Sequence, residues 1–118
     1  MSNQFYIKVR EGSKGVVKSV EVSFPILSSE KNGKFIAESP IFKAIGYSDT
    51  SKELAHDDLV EDIKIFLLFH IKNRSLKNTL KLLGWKEYGY SSKRFESPVI
   101  PIDKYKTAKS EMFDLKVA

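Results

Sequence analysis

The sequence predicts an α+β fold, in which an antiparallel meander of three or four strands packs on one main α-helix. Two observations lead to this prediction. In the first half of the chain, apolar and polar residues alternate with the period of two that is typical of half-buried strands. Beyond residue 52 the apolar residues recur every three or four positions, which is the period of a helix. A short second helix and an extended C-terminal tail are expected to follow.

The meander is predicted to begin near the N-terminus. Its clearest strand has Val20, Val22 and Phe24 alternating with polar residues. Pro25 cannot donate a backbone hydrogen bond, so we expect the far end of this strand to lie at a sheet edge or to leave the ladder. The strands are predicted at residues 5–10, 16–27, 35–37 and 42–47, with a turn at residues 28–33.

Two helices are predicted in the second half. The first should begin after residues 48–51, all four of which are common helix N-cap residues. Ser75 can cap the second helix, and Gly84 is a typical C-terminal stop. The expected core combines one stripe of the main helix and the tryptophan with the apolar face of the meander. It consists of Leu59, Ile63, Phe66, Leu67 and Trp85, together with Val20, Val22, Phe24, Phe35 and Ala37.

The C-terminal part has weaker patterns. Residues 86–97 have the composition of a turn or a weak strand, and the two prolines in residues 98–102 favour an extended segment. Residues 112–117 can pair as an edge strand or stay mobile. Residues 1–118 are expected to form one domain, with the core at residues 16–86 and a C-terminal extension at residues 87–118.

Composition excludes several classes of function. The chain has no cysteine, so it has neither disulfides nor thiolate nucleophiles nor thiolate metal ligands. Its longest apolar run, residues 65–69, is far shorter than the roughly 20 residues of a membrane span. The N-terminal residues lack the features of a signal peptide. We therefore expect a cytoplasmic protein that contacts no membrane.

Candidate catalytic residues do not cluster in the sequence. His56 and His70 are separated by about 21 Å along a helix, so they cannot share a metal ion. His70 stands among apolar residues and is expected to be a hydrogen-bonded interior or interface histidine. Glu53, Asp57 and Glu61 share one helix face, which suits the helix dipole or a docking surface for a basic protein. We expect no catalytic residue, no cofactor and no metal site, and hence no enzyme.

The most unusual segment is residues 65–71, which are apolar almost all round the predicted helix. Such a helix must be covered on more than one side. A closed two-fold dimer is the commonest way to cover a surplus apolar surface, so we expect a homodimer. The alternative is that the tail folds back over it through Val99, Ile100 and Ile102. The candidate partner interface consists of Ile65, Leu68, Phe69 and Ile71.

The charge distribution leaves a second class of partner open. The net charge is +5, and residues 74–118 hold most of the excess of lysine and arginine. Aromatic side chains can stack on bases while basic groups contact phosphates. The candidate nucleic-acid contacts are therefore Lys86, Tyr88, Tyr90, Lys93 and Arg94. Packing or sheet-edge roles for the tyrosines are the simpler interpretation.

Three segments, in this order, resemble the motifs of the HicB-like antitoxin family. They are residues 34–40 (KFIAESP), residues 48–55 (SDTSKELA) and residues 75–85 (SLKNTLKLLGW). The resemblance covers about residues 16–86. It implies a partial ribonuclease H-like fold in which three antiparallel strands precede the main helix. It also implies a non-enzymatic role, the binding and blocking of a small basic messenger-RNA ribonuclease toxin, often by dimers or tetramers.

Overall fold

The computed structural model describes residues 5–87, 94–99 and 109–118. Nine elements of regular secondary structure, apart from one short 3-10 turn, are found in these ranges. In chain order they are β1 (Tyr6–Glu11), β2 (Val17–Lys31), β3 (Lys34–Ser39), β4 (Ala44–Ser48), α1 (Lys52–Lys72), α2 (Leu76–Leu82), β5 (Lys86–Glu87), β6 (Arg94–Glu96) and β7 (Lys109–Val117).

The described strands form one antiparallel sheet built around β2, which is fifteen residues long. β7 pairs with β2 continuously from Val20 to Ser28. β1 pairs with the first part of β2 and β3 with its last part, and both overlap the segment that β7 occupies. Since a strand has only two edges, β1 and β3 share the edge opposite β7. β4 then extends the sheet beyond β3, and β6 and β5 extend it beyond β1.

The α+β class is confirmed, but the predicted number of strands is too low, because seven strands are present in the described residues. β5 and β6 are only two and three residues long, too short for their alternation to be recognised. For residues 112–117 the sequence left two alternatives, an edge strand or a mobile segment. In the structure these residues belong to β7, which pairs with β2.

The expectation that the far end of β2 lies at a sheet edge or leaves the ladder is wrong, because Leu27 and Ser28 pair with both β3 and β7. β2 continues to Lys31, and the turn is confined to Asn32 and Gly33, which both have positive φ. Pro25 falls between the parts of β2 that pair with β1 and with β3. A proline is compatible with a central strand at such a gap, because no ladder bond is required on the unpaired edge.

The inner face of the sheet holds the core. Alternate residues of β2, from Val20 to Ile26, are buried there beside Leu115 and Val117 of β7 and below the buried stripe of α1. Trp85 packs back onto this core, as expected, with its ring 5.7 Å from that of Phe42. Most of the predicted core residues are buried, whereas Phe35 and Phe66 are only half-buried at its margin. None of the described helices is long and apolar enough to cross a membrane.

Candidate protein-binding surface

The rotation of α1 about its axis is set at its N-terminal end. The Ser51 side chain is the N-cap and accepts a hydrogen bond from the Leu54 backbone N–H at 3.1 Å. One turn further on, Asp58 accepts a hydrogen bond from the backbone N–H of Tyr47 in β4, also at 3.1 Å. The first contact satisfies a free donor at the helix end. The second satisfies a donor of the strand and ties α1 to β4.

Close packing against β4 fixes the same orientation. Gly46 is buried beneath the helix. A Cβ at this position would lie 2.6 Å from the backbone nitrogen of Leu59 and would also collide with the carbonyl oxygen of Ala55. Only glycine allows the helix backbone to approach the strand so closely. Ala55, Leu59 and the other buried residues of α1 therefore face the sheet, and the opposite side of the helix faces solvent.

The C-terminal end of α1 is held by a small hydrogen-bond cluster. His70 Nδ1 lies 2.7 Å from Ser75 Oγ and 3.2 Å from Thr79 Oγ1. This confirms the expected hydrogen-bonded role of His70. It also explains why Ser75 precedes α2 without a side-chain cap of the usual kind. The Asn73 side chain donates to the Phe69 carbonyl oxygen at 2.8 Å and closes the last turn of α1.

With α1 held in this way, its second half presents large apolar side chains to solvent. Ile65 is 57% exposed, Leu68 36% and Phe69 58%. We call these three residues the apolar patch. Ile71, the fourth residue predicted for this interface, is half-buried and packs against the core, so it is separate from the patch. The structure thus brings together three of the four predicted interface residues.

The aromatic part of the apolar patch contacts a neighbouring ring. The ring of Phe69 meets that of His70 edge-on, with centroids 5.0 Å apart, and Phe66 contacts the other side of His70 at 4.8 Å. His70 is itself held by Ser75 and Thr79. Phe69 thus contacts one ring of its own chain and remains 58% exposed to a docking partner.

Charged residues flank the patch on the same solvent-facing side of α1. Glu61 precedes Ile65 by one turn, and Lys72 follows Leu68 by one turn. Both are exposed, and neither forms an ion pair with another of the described residues. The four positions are separated by four, three and four residues, so they form one straight stripe along the helix.

The first half of α1 is acidic, as its sequence indicates. Glu53, Asp57 and Glu61 are all exposed. His56, beside them, is half-buried, and its ring contacts Phe113 of β7 at 5.6 Å. Within the described ranges, no group of three or more histidine, aspartate or glutamate side chains is placed to hold a metal ion.

The candidate nucleic-acid residues are only partly described. Lys86 and Arg94 are exposed on β5 and β6, whereas Tyr88, Tyr90 and Lys93 lie outside the described residues. On the outer face of the sheet, Arg94 is directly opposite Lys8 of β1. Lys8 in turn faces Glu21 of β2 on its other side. The outer face of the sheet thus carries two adjacent cations on β1 and β6, with an anion beside Lys8.

One exposed apolar surface was not predicted from the sequence. Ile45 and Tyr47 of β4 project from the outer face of the sheet and are 43% and 61% exposed. Ile36 of β3, which pairs with Tyr47, is half-buried beside them. The alternation of residues 44–48 indicates two faces, but nothing in it indicates that neither of the described helices covers the outer face of β4.

Comparisons with protein-family models, with curated proteins and with solved structures give no significant match to this chain.

Proposed function

We propose that this protein is a non-catalytic protein-binding module of the antitoxin type, and that the solvent-facing side of α1 is its principal interface. The observation that carries the proposal is the apolar patch of Ile65, Leu68 and Phe69, which faces away from the sheet. Monomeric proteins seldom expose several large apolar side chains side by side, and such patches are typical of interaction sites.

The surroundings of the patch favour a protein partner. An apolar centre with charged residues around it is the usual arrangement of a protein–protein interface. The acidic first half of α1, which includes Glu53, Asp57 and Asp58, would suit a partner with a basic surface. A small basic ribonuclease, the partner class implied by the HicB-like resemblance, has this charge.

The order of elements agrees with that resemblance. β2, β3 and β4 form three successive antiparallel strands and are followed by α1, by the short α2 and by Gly84-Trp85. This is the order expected for the family over residues 16–86. β1 and β7, which flank β2, are additions to it.

The test is co-expression with the product of the reading frame next to this gene, which an antitoxin of this type would neutralise. We expect that product to be a small basic protein that arrests growth and cleaves messenger RNA when expressed alone. Co-expression of this chain should restore growth, and Phe69→Asp should restore it less. An Asp49→Asn variant, changed at an exposed site before α1, is the control. Failure of the intact chain to bind or inhibit that product would refute the antitoxin role.

A second candidate function, nucleic-acid binding, is favoured by one observation. Lys8 and Arg94 lie side by side on the outer face of the sheet, and Arg94 forms no ion pair with another of the described residues, so a phosphate can be bound there. Phosphate contacts make binding weaken steeply as salt rises. A gel-shift series with duplex DNA and single-stranded RNA at increasing salt tests this function. A shift that Arg94→Glu abolishes would support it, and the absence of a shift at low salt would exclude it.

A further inference from the structure

We propose that the partner of the apolar patch is a second copy of this chain, whose α1 packs antiparallel to the first about a two-fold axis. In this arrangement Ile65 faces the second copy's Leu68, and Glu61 faces the second copy's Lys72. The inference rests on the proposed function, since it assumes that the solvent-facing side of α1 is a protein interface. It assigns the apolar patch in the second half of α1 to the second copy, gives the register of that contact, and leaves the acidic first half of α1 for the basic partner.

The spacing along the helix leads to this register. Glu61, Ile65, Leu68 and Lys72 lie on one stripe, with Ile65 and Leu68 in its middle and the charges at its ends. The sequence distance from Glu61 to Ile65 equals that from Leu68 to Lys72. A two-fold axis midway between Ile65 and Leu68 therefore brings all four positions opposite each other at once. The stripe spans about 16 Å, which is three turns of helix.

Charge complementarity selects the antiparallel orientation. In the antiparallel pair each Glu61 meets a Lys72, so the contact contains two identical ion pairs. In a parallel pair Glu61 would face Glu61 and Lys72 would face Lys72, with repulsion at both ends. Because neither residue pairs within the described part of its own chain, no intramolecular ion pair has to be broken.

The apolar centre supplies the attraction. Ile65 and Leu68 interlock across the axis, and Phe69 widens the contact on one flank. Two helices can approach to about 8–10 Å between axes with side chains of this size. A standard interface buries about 800 Å² of surface on each partner, and a contact confined to one helix buries less. The dimer is therefore expected to be weak and to depend on concentration.

The test is a charge-reversal cycle monitored by sedimentation equilibrium, from roughly micromolar to roughly millimolar chain. In the proposed dimer, position 61 of each copy faces position 72 of the other. Either single variant, Glu61→Lys or Lys72→Glu, therefore puts like charges opposite each other at both of these contacts. Each should raise the dissociation constant about tenfold. The double variant Glu61→Lys/Lys72→Glu should return it to within about twofold of the original value. Asp49→Lys, which makes the same change of net charge as Glu61→Lys at an exposed site outside α1, is the matched control.

The possible outcomes separate the inference from the proposed function. Rescue in the double variant, with the control unchanged, supports the antiparallel register. If Leu68→Asp abolishes the dimer while charge reversal has no effect, the register is refuted and the interface stands. A chain that stays monomeric at every concentration refutes the second copy as partner, and the toxin-binding experiment then decides the proposed function alone. Circular dichroism and thermal unfolding verify that each variant is folded, which is expected because all these sites are exposed.

Discussion

Gly46 of β4 lies directly beneath Leu59 of α1, so close that a Cβ on Gly46 would be 2.6 Å from the Leu59 backbone nitrogen. The contact is between backbones, and neither can move without shifting the helix or the sheet. This one position therefore controls how α1 sits on the sheet, and with it the direction in which the apolar patch points.

Gly46→Ala should destabilise the protein by about 3 kcal/mol, because the new methyl group must push α1 away from β4. Gly12→Ala is the matched control. Its Cβ would meet only the outer part of the Lys18 side chain, which can swing aside, so the expected change is within about 0.5 kcal/mol. Chemical denaturation of both variants measures the two effects. Equal stabilities would show that α1 does not depend on this close approach.

Phe24→Ala should cost about 3–5 kcal/mol of unfolding free energy. Phe24 is fully buried, and its ring contacts those of Phe42 and Phe113 at 5.2 and 6.0 Å. Phe66→Ala should cost only about 1–2 kcal/mol, since this ring is half-buried and already partly solvated. Urea unfolding of the two variants compares them directly. A larger loss for Phe66→Ala would contradict the position of the core.

Leu115→Ala should lower the unfolding free energy by about 2–5 kcal/mol, because Leu115 is a buried member of the core on β7. Met112→Ala, on the opposite face of the same strand, should change it by no more than about 0.5 kcal/mol. Thermal unfolding tests the pair. Equally small effects from both would mean that β7 is not paired with β2 in solution.

Ser75→Ala should cost about 1 kcal/mol, since it removes the hydrogen bond between Ser75 Oγ and His70 Nδ1. Ser29→Ala, on the exposed outer side of β2, serves as the control and should be neutral. Because His70 also positions the ring of Phe69, Ser75→Ala should increase the mobility of that ring. Aromatic NMR line shapes report this change, and an unaltered Phe69 signal would show that the ring is ordered independently of Ser75.

Local patterns predicted much of this fold. The alternation of Val20, Val22 and Phe24 and the helical spacing of Leu59, Ile63 and Leu67 correctly identified the inner faces of β2 and α1. The N-cap position at Ser51 lies within the segment predicted to start the helix. In each case the signal comes from residues that are neighbours in the sequence.

The parts that were missed depend on long-range contacts. β7 pairs with β2 across more than eighty residues, and no pattern within residues 109–117 specifies that partner. Pro25 suggested that the far end of β2 lies at a sheet edge or leaves the ladder, because the strands that pair with β2 on each side were unknown. Phe66 and Leu67 are adjacent members of the same apolar run, and only the rotation of α1 set by Gly46 buries one more deeply than the other.

For the candidate interface, the sequence showed a surplus of apolar residues between Ile65 and Ile71. It could not show which of them face the core and which face solvent. The structure buries Leu67, half-buries Ile71 and leaves Ile65, Leu68 and Phe69 exposed. The role proposed for Glu61 and Lys72 depends on which side of α1 faces solvent, and the structure was needed to show this.

Disulfide cross-linking tests most directly the central claim that two copies of this chain meet through the apolar patch of α1. The chain has no cysteine, so Ile65→Cys and Leu68→Cys chains each carry a single thiol. Equal amounts of the two, one bearing an affinity tag, are mixed and mildly oxidised. We expect the mixed disulfide, which joins facing positions at a distance a disulfide can span, to form faster than either homodimer and faster than a disulfide with a Ser29→Cys chain. No preference for the mixed species over the Ser29→Cys control would contradict the antiparallel contact between two copies.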